Sequence, residues 1–295
     1  MTRRLFLETG SVAVVGGMFK SDYLHSLGND KPLAEIGLQL YTVRDDMKID
    51  LFKTLKRVAE VGFNHVECAG YSNGKFYEKP KEEFKMILDD LGLKMYSGHI
   101  GTGFHKDGMK MGLNLKFDAV CEDAVFMGQK YIGVGYIEPE ERRSIDDYKK
   151  FVELLNISSE TAKKHNLIFF HHNHDFEFIP INGIVPYDII LNNTDKNLVK
   201  LELDHYWTTK AKVDSVNLMK KNPGRFPLWH IKDMDKTKGG AFTEVGTGVI
   251  DYQKIFNQRE ISGNKYFYIE QDTCKKMSPF QSIELSYKNV KKLKF

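Results

Sequence analysis

This sequence predicts an α/β protein with a single (β/α)8 barrel, the TIM barrel fold. Short apolar runs alternate with amphipathic stretches of helical periodicity, a pattern typical of parallel strands joined by crossover helices. Eight strand and helix pairs can be counted, which favours a closed barrel over an open doubly wound sheet. The 295 residues also suit one domain, because such barrels contain about 250 residues. We therefore expect a single barrel over residues 32–295.

The first half of the chain contains the first four strand and helix pairs. In the first helix Leu51, Leu55 and Val58 share one face, as expected for a helix that packs on a sheet. Asp50 is a suitable N-cap for this helix, and Gly62 is a suitable C-cap. The strands are expected at residues 36–41, 65–67, 93–97 and 131–134, and the helices at 51–61, 82–91, 118–127 and 145–164.

The second half repeats the pattern with shorter helices. Its strands are expected at residues 167–170, 198–203, 226–229 and 266–269, and its helices at 187–192, 215–221, 252–256 and 279–293. Two glycine-rich loops, residues 101–115 and 234–248, follow the third and seventh strands and are long enough to cover a small ligand. No Gly-x-Gly-x-x-Gly motif follows a strand, so we expect no dinucleotide site.

The composition argues against a nucleic-acid partner. The formal net charge of +3 is spread along the chain, and the lysine pairs lie mostly in predicted helices, which indicates a solvated outer face. Cys68, Cys121 and Cys274 are widely spaced without a C-x-x-C unit, which argues against a structural zinc site or a disulfide scaffold. A pair among these cysteines remains open, and so does the oligomeric state, a homo-oligomer included.

The first 31 residues differ from the rest of the chain and look like an export signal. Arg3 and Arg4 precede the weakly apolar run Val12–Phe19, which is typical of a twin-arginine signal. The run is too short for a bilayer helix of about 20 residues, so we expect no stable membrane insertion. We therefore interpret residues 1–31 as a twin-arginine-type signal segment and linker, and expect a periplasmic protein. The alternative is a merely basic, disordered tail.

Four side chains of metal-ligand type end four successive apolar runs in the second half: His172, Asp204, His230 and Glu270. Functional residues of (β/α)8 barrels collect at the carboxyl ends of the strands, which all meet at one face of the barrel. We therefore expect these four side chains to converge on one ion. Imidazole and carboxylate ligands without a thiol suit Mn²⁺, Co²⁺, Zn²⁺ or Mg²⁺, and the sequence does not choose among them.

Three of these ligand assignments have an ordinary structural alternative. Asp204 ends a buried run, where a carboxylate needs a partner or an ion, although it could also cap a helix. His230 could be a hydrogen-bonded core histidine. Glu270 has no basic residue after it until Lys275, so burial without an ion would raise its pKa. We favour the ligand role for all three.

Further candidates lie on the same strands. Lys232 shares a strand face with His230 and is expected to polarise a substrate carbonyl, unless it only pairs with Asp233. Glu202 shares a face with Asp204, and it either lies close to the ligands or forms an outward salt bridge. The sequence leaves this choice open.

Other candidates follow the ends of strands. His174 and Glu177 come after the fifth strand and are candidates for contact with substrate or for a catalytic base, with a hydrogen-bonded loop as the alternative. His99 ends the third strand before a glycine-rich loop, and Glu67 ends the second strand. We expect His99, Glu67 and Trp207 to bind substrate, although Trp207 could equally pack at the rim of the barrel.

Four segments resemble the sugar phosphate isomerase/epimerase family, whose fold is xylose isomerase-like: Phe170–Phe178, Leu201–Asp204, Trp229–Asp233 and Ile269–Asp272. The resemblance extends over residues 36–293 and implies divalent-metal ligands at Asp204, His230 and Glu270. Many relatives have a glutamate where this chain has His172. Either His172 replaces that carboxylate as the fourth ligand, or Glu177 reaches back to the ion.

The resemblance also implies a function. We expect a metal-dependent isomerase, epimerase or lyase that acts on a sugar or keto-sugar, such as a 3-keto-glycoside. A base would remove a proton next to a carbonyl to give a metal-stabilised enediolate, and the catalytic candidates are His172, His174, Glu177, Lys232 and Glu270. Only Glu270 matches the two metal-bound glutamates of the family's epimerases, so a symmetrical two-glutamate mechanism is not favoured.

Two alternative functions remain. The first is an apurinic-site nuclease similar to endonuclease IV, which would need further ligands from the first half of the chain, such as His65, and a basic rim for DNA. The modest net charge and the export signal count against it. The second is a non-catalytic sugar-binding barrel that has kept its metal.

Overall fold

The computed structural model describes residues 35–103 and 112–294, and these residues contain a closed barrel of eight parallel strands. The strands are β1 (Gly37–Gln39), β2 (His65–Cys68), β3 (Lys94–Ile100), β4 (Tyr131–Val134), β5 (Ile168–His172), β6 (Val199–Asp204), β7 (Leu228–Ile231) and β8 (Tyr266–Ile269). Each strand pairs with its neighbours in sequence, and β8 closes the barrel on β1. The predicted TIM barrel is confirmed. The predicted signal segment, residues 1–31, lies outside the described residues.

Helices flank the barrel. Within the described ranges they are α1 (Arg44–Ile49), α2 (Leu51–Val61), α3 (Lys81–Asp90), α4 (Phe117–Phe126), α5 (Ile145–Lys164), α6 (Pro186–Asn193), α7 (His205–Lys210), α8 (Ser215–Lys221), α9 (Tyr252–Phe256), α10 (Arg259–Ser262) and α11 (Pro279–Val290). The predicted bounds of α2, α5, α8 and α9 agree with the structure at both ends. As predicted, Asp50 caps α2 by accepting a hydrogen bond from the backbone N–H of Lys53, and Gly62 ends it with φ of 113°.

Some local structure departs from the prediction. Helices α1, α7 and α10 contain six, six and four residues, which is too few to produce a clear helical period in the sequence. Residues 71–80 add a small three-stranded sheet. Strands β5, β6 and β7 also run further than predicted and include His172, Asp204 and His230. The prediction ended these strands before the three polar residues, whereas the side chains of these residues point into the barrel.

A group of aromatic and aliphatic side chains lies inside the barrel below the polar strand ends. Its members are Tyr131, Phe170, Leu228 and Tyr268, all buried. Alternate side chains of a strand share a face, so Phe170 lies one layer below His172, and Leu228 lies one layer below His230. Burial of each large apolar side chain contributes about 1.5–3 kcal/mol to the stability of the fold, so this group stabilises the barrel beneath the polar strand ends.

The sequence left two structural questions open. All three cysteines lie within the described residues and are free, with Cys68 and Cys121 buried and Cys274 partly exposed. The structure therefore contains no disulfide between them. In the part of the chain that the structure describes, no helix is both long enough and apolar enough to cross a membrane.

His65 faces the interior of the barrel from β2 and makes stability sensitive to acid. Its side chain is fully buried, and this burial lowers its pKa from 6.5 to about 4. The unfolded chain therefore takes up a proton before the folded protein does, so this contribution to stability is complete above about pH 6.5 and is lost as the pH falls toward 4.

We expect acid to destabilise the wild type more than the variant His65→Gln, which cannot take up this proton. Between about pH 7 and about pH 4.5, the free energy of unfolding of the wild type should fall by about 2 kcal/mol more than that of the variant. Urea denaturation of both proteins at the two pH values measures the difference. Equal losses in the two proteins would contradict the assignment.

Candidate metal centre and substrate cavity

The four ligand candidates converge at the carboxyl-terminal end of the barrel. His172 ends β5, Asp204 ends β6, His230 lies in β7, and Glu270 directly follows β8. The parallel register pairs His230 with Asp204, which places the two side chains at the same height in the barrel. All four residues are buried, with at most 6% of their surface exposed. Strand register and closure of the barrel thus bring together residues from four separate strands.

Asp204, His230 and Glu270 form a cluster of ligand atoms. One ligand atom from each residue lies within 4.8 Å of the other two. Nδ1 of His230 is 2.7 Å from Oε2 of Glu270 and 4.0 Å from Oδ2 of Asp204. Among the described residues, these three atoms form no hydrogen bond of acceptable geometry, although the ammonium group of Lys232 lies 3.1 Å from Oδ2 of Asp204 and 2.7 Å from Oε2 of Glu270. Buried polar atoms need a hydrogen-bond partner or an ion, so the cluster fits a divalent cation.

His172 and Glu177 are the two candidates for a fourth ligand, and the structure separates them. Nε2 of His172 lies 3.8 Å from Oδ2 of Asp204. Both oxygens of the buried Glu177 are already engaged, 2.9 Å from Nε2 of His171 and 2.9 Å from the backbone N–H of His174. Glu177 belongs to neither ligand cluster found among the described residues, whereas His172 belongs to a second cluster, with His99, Glu202 and His230. This geometry favours His172 over Glu177 as the fourth ligand, because both oxygens of Glu177 are bonded within the turn after β5.

Lys232 lies between three carboxylates. Its Nζ is 3.1 Å from Oδ2 of Asp204, 2.7 Å from Oε2 of Glu270 and 2.8 Å from Oδ1 of Asp272. Burial opposes the charged form, but these carboxylates outweigh it and hold the pKa of Lys232 well above its ordinary value. Asp233 does not pair with it and instead accepts backbone hydrogen bonds from the loop after β7. Lys232 is therefore a permanent cation and a hydrogen-bond donor.

Burial and neighbouring charge shift the pKa values of the ligands in different directions. Burial raises the pKa of Asp204 to about 6, although Lys232 opposes the shift. For His230, burial disfavours the charged form, but the carboxylates of Glu202, Glu270 and Glu67 hold its pKa well above the ordinary value. A cation in the cluster would favour the charged form of Asp204 and would compete with the proton on His230.

A second layer of charged side chains lies below the ligands. Oε2 of Glu202 is 2.7 Å from Nε2 of His99, and Oε2 of Glu67 is 2.5 Å from Nε2 of His230. Glu202 therefore points into the barrel, which excludes the outward salt bridge. The signal for this was its position two residues before Asp204 on the same strand face. Glu67 is fully buried and is not among the described residues that line the cavity, so its predicted contact with substrate is not supported.

A cavity of about 710 Å³ lies over the ligands, a size typical of small-molecule sites. Its polar lining includes His99, His172, Lys232, Glu270 and Asp272. Its aromatic lining includes Tyr41, Tyr136, Phe176 and Trp207. Sequence reasoning missed Asp272, although it lies two residues after Glu270. The cavity therefore combines charged side chains with aromatic walls.

His174 faces this cavity from the turn after β5. Its ring centroid is 5.3 Å from that of Phe176, which is stacked on it, and 5.2 Å from that of Trp207. Burial, with the nearby charges of His172 and Lys232, holds the pKa of His174 well below the ordinary value. The imidazole is therefore neutral at neutral pH and can accept a proton.

The sequence profile of the xylose isomerase-like TIM barrel family matches residues 55–279. This chain belongs to that family. A sugar phosphate isomerase/epimerase from Parabacteroides distasonis has a similar structure, with a TM-score of 0.75 and 26% sequence identity. That similarity covers 87% of this chain and 97% of the other. The family resemblance seen in the sequence is confirmed.

Two further relatives have more specific names. Inosose dehydratase from Clostridium perfringens is 27% identical over 137 residues, which are 41% of this chain but only 45% of the dehydratase. The match thus spans less than half the length of that relative. The 3-keto-D-glucoside 4-epimerase from E. coli has a TM-score of 0.64 and 18% identity over 88% of this chain and 99% of the epimerase, which establishes the shared fold alone.

Proposed function

We propose that this protein is a divalent-metal-dependent enzyme that removes a proton next to the carbonyl group of a sugar or keto-sugar. The observation that carries the proposal is the buried cluster of Asp204, His230 and Glu270, of which Glu270 lines the cavity of about 710 Å³. The cluster joins two carboxylates to imidazole, a donor set that suits Mn²⁺, Co²⁺, Zn²⁺ or Mg²⁺. The relatives named isomerase, epimerase and dehydratase support the same class of reaction.

His172, Asp204, His230 and Glu270 would hold the ion. When bound, a divalent ion polarises a carbonyl oxygen and can contribute several kcal/mol to the stability of the charge that develops there. Lys232 lies beside the same carboxylates and lines the cavity, so its ammonium group can donate a hydrogen bond to a substrate oxygen. Asp272 holds this ammonium group in place from the other side.

His174 is the residue that we assign as the base. It lines the cavity beside Lys232 and Glu270, and its Nδ1 has no hydrogen-bond partner among the described residues. The other base candidates are engaged elsewhere, because His172 faces Asp204 and both oxygens of Glu177 accept hydrogen bonds. His174 would take the proton from the carbon next to the carbonyl and return it to a neighbouring atom.

The cavity lining favours an unphosphorylated substrate. Among its described lining residues, Lys232 is the only lysine or arginine, and three carboxylates already surround it. A phosphate group would also meet the acidic side chains of Glu138 and Asp175 in the lining. A neutral glycoside, such as a 3-keto-glycoside, suits the aromatic walls better. Periplasmic export, which remains a prediction, would expose the enzyme to such substrates.

Proton exchange with solvent tests the proposed function before the product is known. The metal-loaded protein is incubated in D₂O with 3-keto-glycosides and unphosphorylated keto-sugars, and NMR follows the hydrogen next to the carbonyl. We expect deuterium to enter at least about 10²-fold faster than with chelator-treated protein, because the ion would contribute several kcal/mol to stabilising the charge that develops on the carbonyl oxygen. The product then distinguishes an isomerase, an epimerase and a lyase.

Two other outcomes would contradict the proposal. Sugar binding without exchange would favour the non-catalytic barrel. Metal-dependent cleavage of a DNA duplex that contains an abasic site, again without exchange, would favour the nuclease.

A further inference from the structure

A layer of paired carboxylates and imidazoles lies directly beneath the candidate metal centre. Glu67 on β2 and Glu202 on β6 are fully buried and point toward the barrel axis. Oε2 of Glu67 lies 2.5 Å from Nε2 of His230 and accepts a hydrogen bond from the side-chain amide of Gln39 at 2.8 Å. Oε2 of Glu202 lies 2.7 Å from Nε2 of His99. Each carboxylate thus has a close imidazole partner.

The same carboxylates determine which ring atoms face the metal centre. In His230, Nε2 is directed at Glu67, so Nδ1 faces Glu270 at 2.7 Å. In His172, Nδ1 lies 3.3 Å from Oε2 of Glu202, an ion-pair contact without hydrogen-bond geometry, and Nε2 lies 3.8 Å from Oδ2 of Asp204. Each ring therefore stands between a carboxylate below and the ligand cluster above.

An imidazole nitrogen can bind a metal only when it carries no proton. A carboxylate that accepts a hydrogen bond from the other ring nitrogen holds the proton on that other nitrogen and leaves the first one free for the metal. We propose that Glu67 and Glu202 are positioning residues that fix the ring orientation and tautomer of His230 and His172, so that Nδ1 of His230 and Nε2 of His172 bind the ion. This inference rests on the proposed metal centre. It adds two residues that act on the histidine ligands without binding the ion.

The lower layer could instead hold a second ion, because one ligand atom each from His99, His172, Glu202 and His230 lies within 4.8 Å of the others. The contacts argue against that. The carboxylates of Glu67 and Glu202 are 2.5 and 2.7 Å from imidazole nitrogens, which are hydrogen-bond distances. We therefore assign the layer to hydrogen bonding and expect one ion for each chain.

Metal affinity tests the inference independently of turnover. Competition with a chromogenic chelator gives the dissociation constants for Zn²⁺ and Co²⁺ in the wild type and in Glu67→Gln, Glu67→Ala and Glu202→Gln. We expect one ion for each chain in every protein. Affinity should fall about 10-fold in the glutamine variants and about 100-fold in Glu67→Ala, because glutamine keeps an acceptor oxygen where alanine keeps none.

A control variant and a spectrum separate positioning from general damage. Asp123→Asn makes the same acid-to-amide change at another buried carboxylate, which pairs with Lys81 and Tyr71, and should leave the affinity unchanged. In the Co²⁺-loaded protein, the imidazole N–H signals shifted by the metal report the His ligands. We expect two that exchange slowly with D₂O in the wild type, and one of them to exchange faster in each glutamate variant.

Each outcome has a separate meaning. Folded glutamate variants with wild-type affinity would overturn the positioning role. Two ions bound by the wild type, with one lost in Glu202→Gln, would overturn it in favour of a second metal site. A wild type that binds no divalent ion overturns both the positioning role and the proposed function. Weakened binding in the variants with no proton exchange on any sugar would leave the positioning role standing while the proposed reaction fails.

Discussion

The variant Asp204→Ala is expected to lose its bound ion, and its kcat is expected to fall by at least about 10³-fold. Asp204 is fully buried, and its Oδ2 lies in the ligand cluster beside His230 and Lys232. An ion contributes several kcal/mol to stabilising charge on the substrate, and each 1.4 kcal/mol corresponds to about a factor of ten in rate. Elemental analysis of the purified variant measures the ion, and turnover of the substrate found by proton exchange measures the rate. Glu270→Ala should behave in the same way.

Asp204 has a second role that needs a control. Its Oδ1 accepts a hydrogen bond from the backbone N–H of Trp207 and thereby caps α7. Asp204 can therefore act both as a metal ligand and as a helix cap. Asp214 caps α8 in the same way and lies outside the cluster. Asp214→Ala should lose about 1 kcal/mol of stability and keep both its ion and its activity. A metal content in Asp204→Ala equal to that of Asp214→Ala would contradict the proposed centre.

The variant His174→Gln is expected to lower kcat by about 10²–10⁴-fold while its metal content stays at the wild-type level. The imidazole of His174 lines the cavity and stacks on Phe176, and the backbone N–H of His174 donates a hydrogen bond to Glu177 that does not depend on the imidazole. The turn after β5 should therefore remain in place when the side chain changes. Steady-state kinetics with the metal-loaded variant measure the loss, and KM should change much less than kcat.

The control for this prediction is His165→Gln. His165 lies on the outside of the barrel, where it pairs with Asp118 of α4, and its replacement should leave kcat unchanged. If His174→Gln retains full turnover, the base is another residue, and Glu270 is the remaining candidate that lines the cavity. Loss of the ion in His174→Gln would instead indicate that this residue supports the metal centre.

Much of this architecture could be predicted because it depends on local sequence patterns. Alternation of short apolar runs with helical periods predicted the eight strands, and local capping predicted helix ends such as Asp50 and Gly62. The ligand candidates could be selected because each polar residue ends an apolar run, as at His172 and Glu270. The strand ends were less accurate, since a polar residue inside the barrel looks in sequence like the start of a loop.

The sequence by itself determined the barrel, its order of strands and the four side chains at the carboxyl ends of β5 to β8. Only the tertiary structure decided which atoms meet. Glu67 reaches His230, 163 residues away in the chain, because β8 closes on β1 and the register sets β2 and β7 at matching heights. Glu177, by contrast, bonds to the side chain of His171 and the backbone of His174 because of the turn that follows β5. Contacts across a closed barrel depend on register and side-chain rotation, and neither leaves a pattern within a single strand.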